Sequence, residues 1–403
     1  MTDTSPTDVS REPDVAEFER IDWERLDGPS RLLSAERIAL VVGLFVLGAV
    51  YLAYRVRGNA YLVWRWNVGP ADWLLLLSVV FLIAYGLVPL RRNRRTLRRL
   101  LGRLRARPLT ALALVYLGVV LVVGFYGLVA FAAGELTDLT LDRFQPPFWS
   151  TVPYQVTRTD CAGYVADGWD LSRPCHGSLQ YPLGTDRWGY DMIDLLIAGA
   201  RPVVYLTVVT VGLIVPLATV VGLVAGYYGG TVDDLLMAYV DVQLSVPAIV
   251  VYLLAFMFVG NSMFLLLAAF GLLSWGGVAR LVRSEALQRR EEGFVLAARA
   301  VGAPSRYVLR RHLLPNVADT VVPAAAHLLA VLVLTEAGLS FLGFNPSFQS
   351  WGMTVAEGLF YLRPPTIVWW TSTFPALALA TTVAAVKLAG DGLRDVLDPR
   401  WEP

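Results

Sequence analysis

Lysine is almost missing from this chain of 403 residues: Lys387 is the single one among 34 lysines and arginines. A phosphate-cradling P-loop needs Gly-Lys-Ser/Thr, and Lys387 stands between Val386 and Leu388. The chain therefore carries no Walker A site. Histidine is scarce as well. His176, His312 and His327 are far apart, and neither His-Glu-x-x-His nor Gly-x-Ser-x-Gly occurs, which removes the common metallohydrolase and serine-hydrolase arrangements. Cysteine is limited to Cys161 and Cys175. In an oxidising compartment they could close one loop; otherwise they stand as two unpaired thiols. Together with His176 they are one ligand short of a structural zinc site. The first residues lack the basic start, apolar centre and small-residue cleavage site of a signal peptide, so the first apolar run is expected to act as an uncleaved targeting signal.

Apolar residues are what the chain has in excess. They make up 56% of it, against roughly 45–50% in soluble domains. Eight runs are long enough to cross a bilayer core of about 30 Å: residues 37–54, 71–90, 109–133, 203–228, 244–260, 263–282, 320–342 and 367–390. The fold class read from this pattern is an all-α polytopic membrane protein. Residues 1–34 are polar and acidic, with Asp3, Asp8, Glu12, Asp14, Glu17, Glu19, Asp22 and Glu24, a composition that reads as a disordered tail.

Charge sets the expected topology. Nine arginines fall between the second and third runs, from Arg91 to Arg107, and a second cluster from Arg280 to Arg311 follows the sixth. Short arginine-rich loops stay in the cytoplasm, and the first cluster also attracts anionic membrane lipid. With eight spans both clusters and both termini lie inside. Arg55, Arg57 and Arg65 dissent but are fewer. Residues 134–200, the one long polar insertion and the home of both cysteines, are then outside.

Residues 294–316 combine an apolar stripe with arginines in a stretch too short and too charged to span. Phe294, Val295, Ala298 and Val301 share a helical face; Gly302 permits a tight turn. Pro304 stops the first helix, Ser305 is a suitable cap for the next, and Pro315 suits the first turn of the following span. Two short helices meeting at a sharp elbow are expected.

The spacing Ala297-Ala298-x3-Gly302, then Leu314-Pro315, resembles the cytoplasmic coupling loop of ABC-type importer permeases, with Leu296 where that pattern has Glu. The resemblance extends further. Residues 181–191, Tyr-Pro-Leu-Gly-Thr-Asp-Arg-Trp-Gly-Tyr-Asp, are similar to a segment of the dipeptide/oligopeptide permeases of the second-subunit (C-type) branch, with Tyr181 and Tyr190 replacing His and Arg. Gly226-Tyr227-Tyr228-Gly229-Gly230, Glu336-Ala337-Gly338-Leu339-Ser340-Phe341-Leu342-Gly343, Ser350-Trp351-Gly352 and Gly390-Asp391-Gly392-Leu393-Arg394-Asp395, with Asp398-Pro399-Arg400, also resemble that family.

The match implies a six-helix permease core over 109–400, containing the extracellular insertion 134–200 and the coupling loop 285–316. Residues 35–108, two transmembrane helices and an arginine-rich loop, look like an added module. It implies a non-catalytic subunit in the plasma membrane that works with a homologous permease, two ATPase subunits and an extracellular solute-binding protein. Nucleic acid is not an expected partner. The chain needs no cofactor or metal of its own, since ATP and Mg would be bound by the ATPases. Dipeptides or oligopeptides are the implied cargo, with nickel chelates or sugars as the alternative. A self-contained secondary transporter would leave the coupling-type loop unexplained and lacks a visible repeat of broken helices; a polytopic enzyme lacks a catalytic constellation.

Candidate ATPase-coupling residues are Phe294, Val295, Ala297, Ala298, Gly302, Leu314, Pro315 and Asn316. Ionisable groups inside apolar runs are costly and often functional. Glu336 reads equally as a gate or pore group and as a structural hydrogen bond. Asp241 reads as a helix-end cap, His327 and Lys387 as packing or snorkelling positions, and Tyr361, Trp369 and Trp370 as an aromatic belt.

Overall fold

The computed structural model of the protein describes residues 34–58, 66–130, 142–157, 161–165, 167, 172–344, 349–362 and 367–397. The acidic residues of the tail, Arg65 and Asp398-Pro399-Arg400 lie outside the described residues. In hydrocarbon the backbone must satisfy its own polar groups, and a helix does so within one segment. The apolar runs accordingly fold as helices: α1 (Ala35–Arg57), α2 (Pro70–Arg92), the arginine-rich α3 (Arg94–Arg105), α4 (Pro108–Ala130), α5 (Met192–Tyr228), α6 (Gly230–Ser245), α7 (Ala248–Val259), α8 (Met263–Leu273) and α9 (Gly276–Arg289). After the elbow segment, built on α10 (Gly293–Ala300) and α11 (Ser305–Val308), come α12 (Ala318–Phe341), α13 (Trp351–Leu359) and α14 (Trp370–Leu397). Among the described residues seven helical stretches are long and apolar enough to cross a membrane, α8 and α9 together making one, and α6 with α7 forms an eighth bent by 67°.

The count agrees with the sequence reading; two boundaries do not. The fourth span begins at Met192 rather than 203, because Pro202 reads as a helix start yet lies inside α5. The true start is capped by Asp191, which accepts from Ile193 N–H at 2.8 Å. The fifth span begins at Gly230 rather than 244. Asp233, Asp241 and Gln243 hide its first half from a hydropathy reading, but each finds a partner: Arg283 (2.5 Å), Arg280 and the Leu272 carbonyl.

Small residues bring the helices together. A Cβ on Gly226 would lie 2.7 Å from Ala286 Cβ and 2.8 Å from Arg283 O, so α5 and α9 touch backbone to backbone in the manner of membrane helix pairs. The main core draws Val204, Tyr205 and Leu206 from α5, Leu266 from α8, Val282 and Ala286 from α9, and Leu329 and Val333 from α12.

Contacts define two faces of the bundle. On one, Arg310 reaches Glu36 (3.4 Å), Arg103 donates to Val396 O (2.6 Å) and Arg107 pairs with Asp395. The start of α1, the arginine helix, the elbow segment and the end of α14 therefore share this face, here termed the coupling face. On the opposite face β1 (Thr151–Pro153) and β2 (Pro174–His176) pair antiparallel. Cys161 and Cys175 are bonded through their sulfurs, with Cα atoms 5.8 Å apart. The aromatic residues beside α14 are not a lipid belt. Trp370 is fully buried and donates from Nε1 to Thr185 O at 3.0 Å, and Tyr361 packs 4.8 Å from Phe144. They form the core of this outer layer, because an indole with an internal acceptor is better satisfied there than at a headgroup.

Asp186 in that layer supplies a pH-dependent expectation. It is 4% exposed. Its Oδ1 accepts from Trp188 N–H (2.8 Å) and Tyr190 N–H (2.9 Å), and its Oδ2 has no partner among the described residues. Burial pushes its carboxyl from 3.8 up to about 6, opposed by those backbone bonds and aided by nearby Glu357. A raised carboxyl means that the ionised form strains the fold. That cost is fully present above about pH 6 and fades as pH falls toward the unfolded value. Asp186→Asn should therefore raise thermal stability near pH 7.5, by an increment on the order of 2–3 kcal/mol, and change it little near pH 4. Thermal melts of both proteins across this range check it; equal gains at both ends would remove burial of charge as the cause.

Candidate functional site

The elbow owes its shape to the chain termination at Gly302. α10 begins after Glu292, whose side chain turns back to Arg289 (3.3 Å), and Arg289 also holds Glu285 at 2.8 Å. At the other end Gly302 takes φ +79°, a left-handed backbone open to glycine. Gly302 N–H donates to Arg299 O and Ala303 N–H to Ala298 O, both at 2.9 Å. This pair of bonds is the Schellman motif, which satisfies carbonyls that the helix end leaves open. Pro304, not Ser305, is the cap of α11: Tyr307 N–H donates to Pro304 O at 2.8 Å, and Ser305 is the first helical residue. The fixed φ of proline and its free carbonyl do what a serine hydroxyl was expected to do. A wider turn at Leu309–Leu313 and a last turn at Leu314–Asn316 lead to α12. Pro315 thus precedes the span, which starts three residues later. Asn316 Nδ2 donates to His312 O at 2.6 Å and fixes the exit.

The structure divides the eight candidate residues into two groups. Val295 is fully buried and Ala298 is 9% exposed, both within the main core. They bind the elbow to its own bundle and are not available to a partner, a correction to the sequence reading. The apolar stripe is split: Val295 and Ala298 point inward, as an amphipathic surface helix requires, whereas Phe294 and Val301 are exposed. Phe294, Ala297, Gly302, Leu314 and Pro315 are exposed, and Asn316 is half-buried. Leu296 and Val301, which are not among the eight candidates, join them on the open side. Phe294, Tyr307 and His312 form an aromatic group across the elbow, with ring centroids 6.0 and 5.6 Å from His312.

Four further contributors have only a faint sequence signal. Val308 and Leu313 are fully buried under the elbow. Arg290 donates to Gly226 O at 3.1 Å, and the Arg299 guanidinium lies 4.5 Å over the Tyr227 ring. Both arginines thereby grip the Gly-Tyr-Tyr-Gly-Gly turn between α5 and α6. Just above, Arg283 holds Asp233 through two bonds of 2.5 Å. The elbow is thereby keyed to the turn between α5 and α6 and to the core beneath it.

The remaining intramembrane ionisable residues fall into place. Glu336 is 4% exposed and accepts from Ser340 Oγ at 2.8 Å; it lies in the core and not on the open side, which favours the structural over the gate reading. Asp241 is paired with Arg280 instead of capping a helix end. Lys387 Nζ and His327 Nδ1 meet at 2.5 Å.

A polytopic helical bundle with a rigid, externally exposed elbow on one face has the form of an integral membrane transport component. Residues 218–403 match the family of binding-protein-dependent transport system inner membrane components. The dipeptide transport system permease protein DppC of Bacillus subtilis is 32% identical over 228 residues, 55% of this chain and 70% of that protein. The oligopeptide transport system permease protein OppC of Haemophilus influenzae is 33% identical over 54% of this chain and 70% of its own length. OppC of Mycobacterium tuberculosis is 36% identical over 54% and 75%. The chain belongs to this permease family.

Proposed function

We propose that this chain is one permease half of an ATP-driven importer of dipeptides or oligopeptides. A homologous permease completes the channel, two ATPase subunits dock on the coupling face, and a solute-binding protein delivers cargo to the opposite face. The coupling face is then cytoplasmic, with both termini, and the disulfide-bearing layer is outside the plasma membrane. ATP and Mg belong to the partners, and this chain carries no catalytic step.

The observation that carries the reading is the elbow: small and apolar groups (Phe294, Leu296, Ala297, Val301 and Gly302) exposed on a turn that is anchored from beneath. Exposed apolar groups on a rigid knob suit insertion into a complementary groove. Closure of the ATPase pair on nucleotide would press two such knobs together. The bundles then rock as bodies between two packings, since close-packed interfaces switch and do not deform smoothly.

Affinity purification of the tagged chain from its native membrane tests this. A P-loop ATPase and a second polytopic chain should co-purify, and peptide uptake by the reconstituted complex should require ATP. Solute movement by the purified chain alone would overturn the reading.

A further inference from the structure

Two consecutive spans are broken at one level. α6 ends at Ser245 and α7 restarts at Ala248; α8 ends at Leu273 and α9 restarts at Gly276. Gln243 joins the two breaks. Its Nε2 donates to Leu272 O, and a Cβ on Gly276 would lie 2.5 Å from its Oε1. The Tyr239 and Trp275 rings meet alongside at 5.9 Å. α6 has 16 residues and α9 has 14. At roughly 1.5 Å per residue the breaks stand about 21–24 Å from the coupling face, well within a hydrocarbon layer of about 30 Å.

Polar groups at this depth are left without partners. The first N–H groups of a helix have no acceptor within it, and no side chain caps α7 or α9. Gln243 is 2% and Trp275 3% exposed, yet Gln243 Oε1 and Trp275 Nε1 have no hydrogen-bond partner among the described residues. Irregular backbone persists at membrane depth only where protein covers it or where it lines a watery route. Protein covers these breaks only on the side of Gln243, Trp275 and Gly276; on the other side Leu244, Val246, Leu272 and Gly277 are exposed. One turn nearer the coupling face, Asp241 and Arg280 pair on the same open side, with half or more of each side chain exposed. Charged groups at such a level mark a solute route and not a lipid surface. Arg280 lies three residues after the exposed Gly277, on the same helical face.

We propose that the paired breaks form a subsite for the carboxylate end of the solute as it crosses. The exposed main-chain N–H of Gly277 and the Arg280 guanidinium donate to the two carboxylate oxygens, and Asp241 holds Arg280 in place. The positive end of the helix and a fixed cation both favour such an anion. The assignment rests on the importer reading above and adds the chemical group that this half of the permease recognises.

Proteoliposomes containing the complete complex, with ATP and its binding protein, test it using one labelled tripeptide as free acid and as C-terminal amide. The same binding protein delivers both forms to every variant, so a change in their uptake ratio reports on the permease. Arg280→Gln should lower the free-acid to amide ratio about tenfold, the scale of one hydrogen bond to a charged group. Arg280→Lys should restore part of it. Gly277→Leu sends its side chain into open space, with nothing within 4 Å of the new Cβ; it should lower the ratio without disturbing the fold. An unchanged ratio in both Arg280→Gln and Gly277→Leu overturns the subsite and leaves the peptide reading standing. A wild-type complex that moves neither peptide form overturns the peptide reading, and this assignment with it.

Discussion

Gly302→Asp should reduce substrate-stimulated ATP hydrolysis to the unstimulated level while the chain still inserts and assembles. Three effects combine, of unequal size. The backbone at Gly302 has φ +79°, which costs a residue with a Cβ about 1–2 kcal/mol, less for aspartate, which tolerates this region better than most residues. A carboxylate at the C-terminal end of α10 faces the negative pole of that helix, a further penalty of about 0.3–1 kcal/mol. Neither would unfold a bundle whose elbow is held from beneath by Val295, Ala298, Val308 and Leu313. The decisive effect is at the surface. Gly302 is exposed beside Val301, and a charged side chain there would have to be desolvated in any groove that receives the knob. Loss of roughly 2–3 kcal/mol of docking corresponds to about a 30- to 150-fold weaker engagement. Gly302→Ala carries the backbone cost without the charge and should retain most of the stimulation. Stimulation unaltered by the aspartate in reconstituted complex would place the contact elsewhere.

The sequence made the bundle and the elbow legible for different reasons. Long apolar runs have few physical solutions, so eight spans could be read without homologues. The elbow was readable because Gly302 and Pro304 constrain the backbone locally. What could not be read is which side of a stripe faces inward. Val295 and Ala298 carry the same apolar signal whether they meet this bundle or a partner, and only the placement of α5 and α9 decides between them. The same limit explains Trp370, whose composition suits a lipid interface until Thr185 O is found at its Nε1. The first half of the bent fifth span escaped detection because its aspartates and glutamine lower the hydropathy of α6, although Arg280, Arg283 and the Leu272 carbonyl meet them from the next span. Arg290 and Arg299 looked like topology charges, and nothing in a sequence pairs them with Gly226 and Tyr227.

Asp72→Ala should loosen the α1–α2 pair, which also packs through Ala71 and Leu75, because the stronger of its two polar attachments is at Asp72. At the coupling face α1 is tied to the elbow by Glu36 and Arg310, 3.4 Å apart with the arginine side chain 61% exposed. An exposed pair of this kind is worth about 0–1 kcal/mol. At the far end of α2, Asp72 is 4% exposed and accepts three bonds: from Trp66 Nε1 and Gly69 N–H at 2.7 Å, and from Tyr205 Oη at 2.5 Å. Tyr205 belongs to α5 and is 1% exposed. Removing the carboxylate takes an acceptor from all three donors, at about 1–3 kcal/mol for each that finds no other. Trp66 is only half-buried and can turn toward solvent; Tyr205 cannot. Arg201, 3% exposed and one turn from Tyr205, also loses a neighbouring negative charge that acts on it. A net loss of about 3–5 kcal/mol follows, in the range for breaking a buried charged contact. Asp72→Asn keeps an acceptor for Tyr205 and should lose less. The Asp72→Ala, Tyr205→Phe pair should cost less than the sum of the two singles, because both remove the same hydrogen bond. Thermal unfolding in detergent and protease sensitivity of the chain between α1 and α2 measure these losses. Strict additivity would mean that the hydroxyl and the carboxylate do not hold the module to the core.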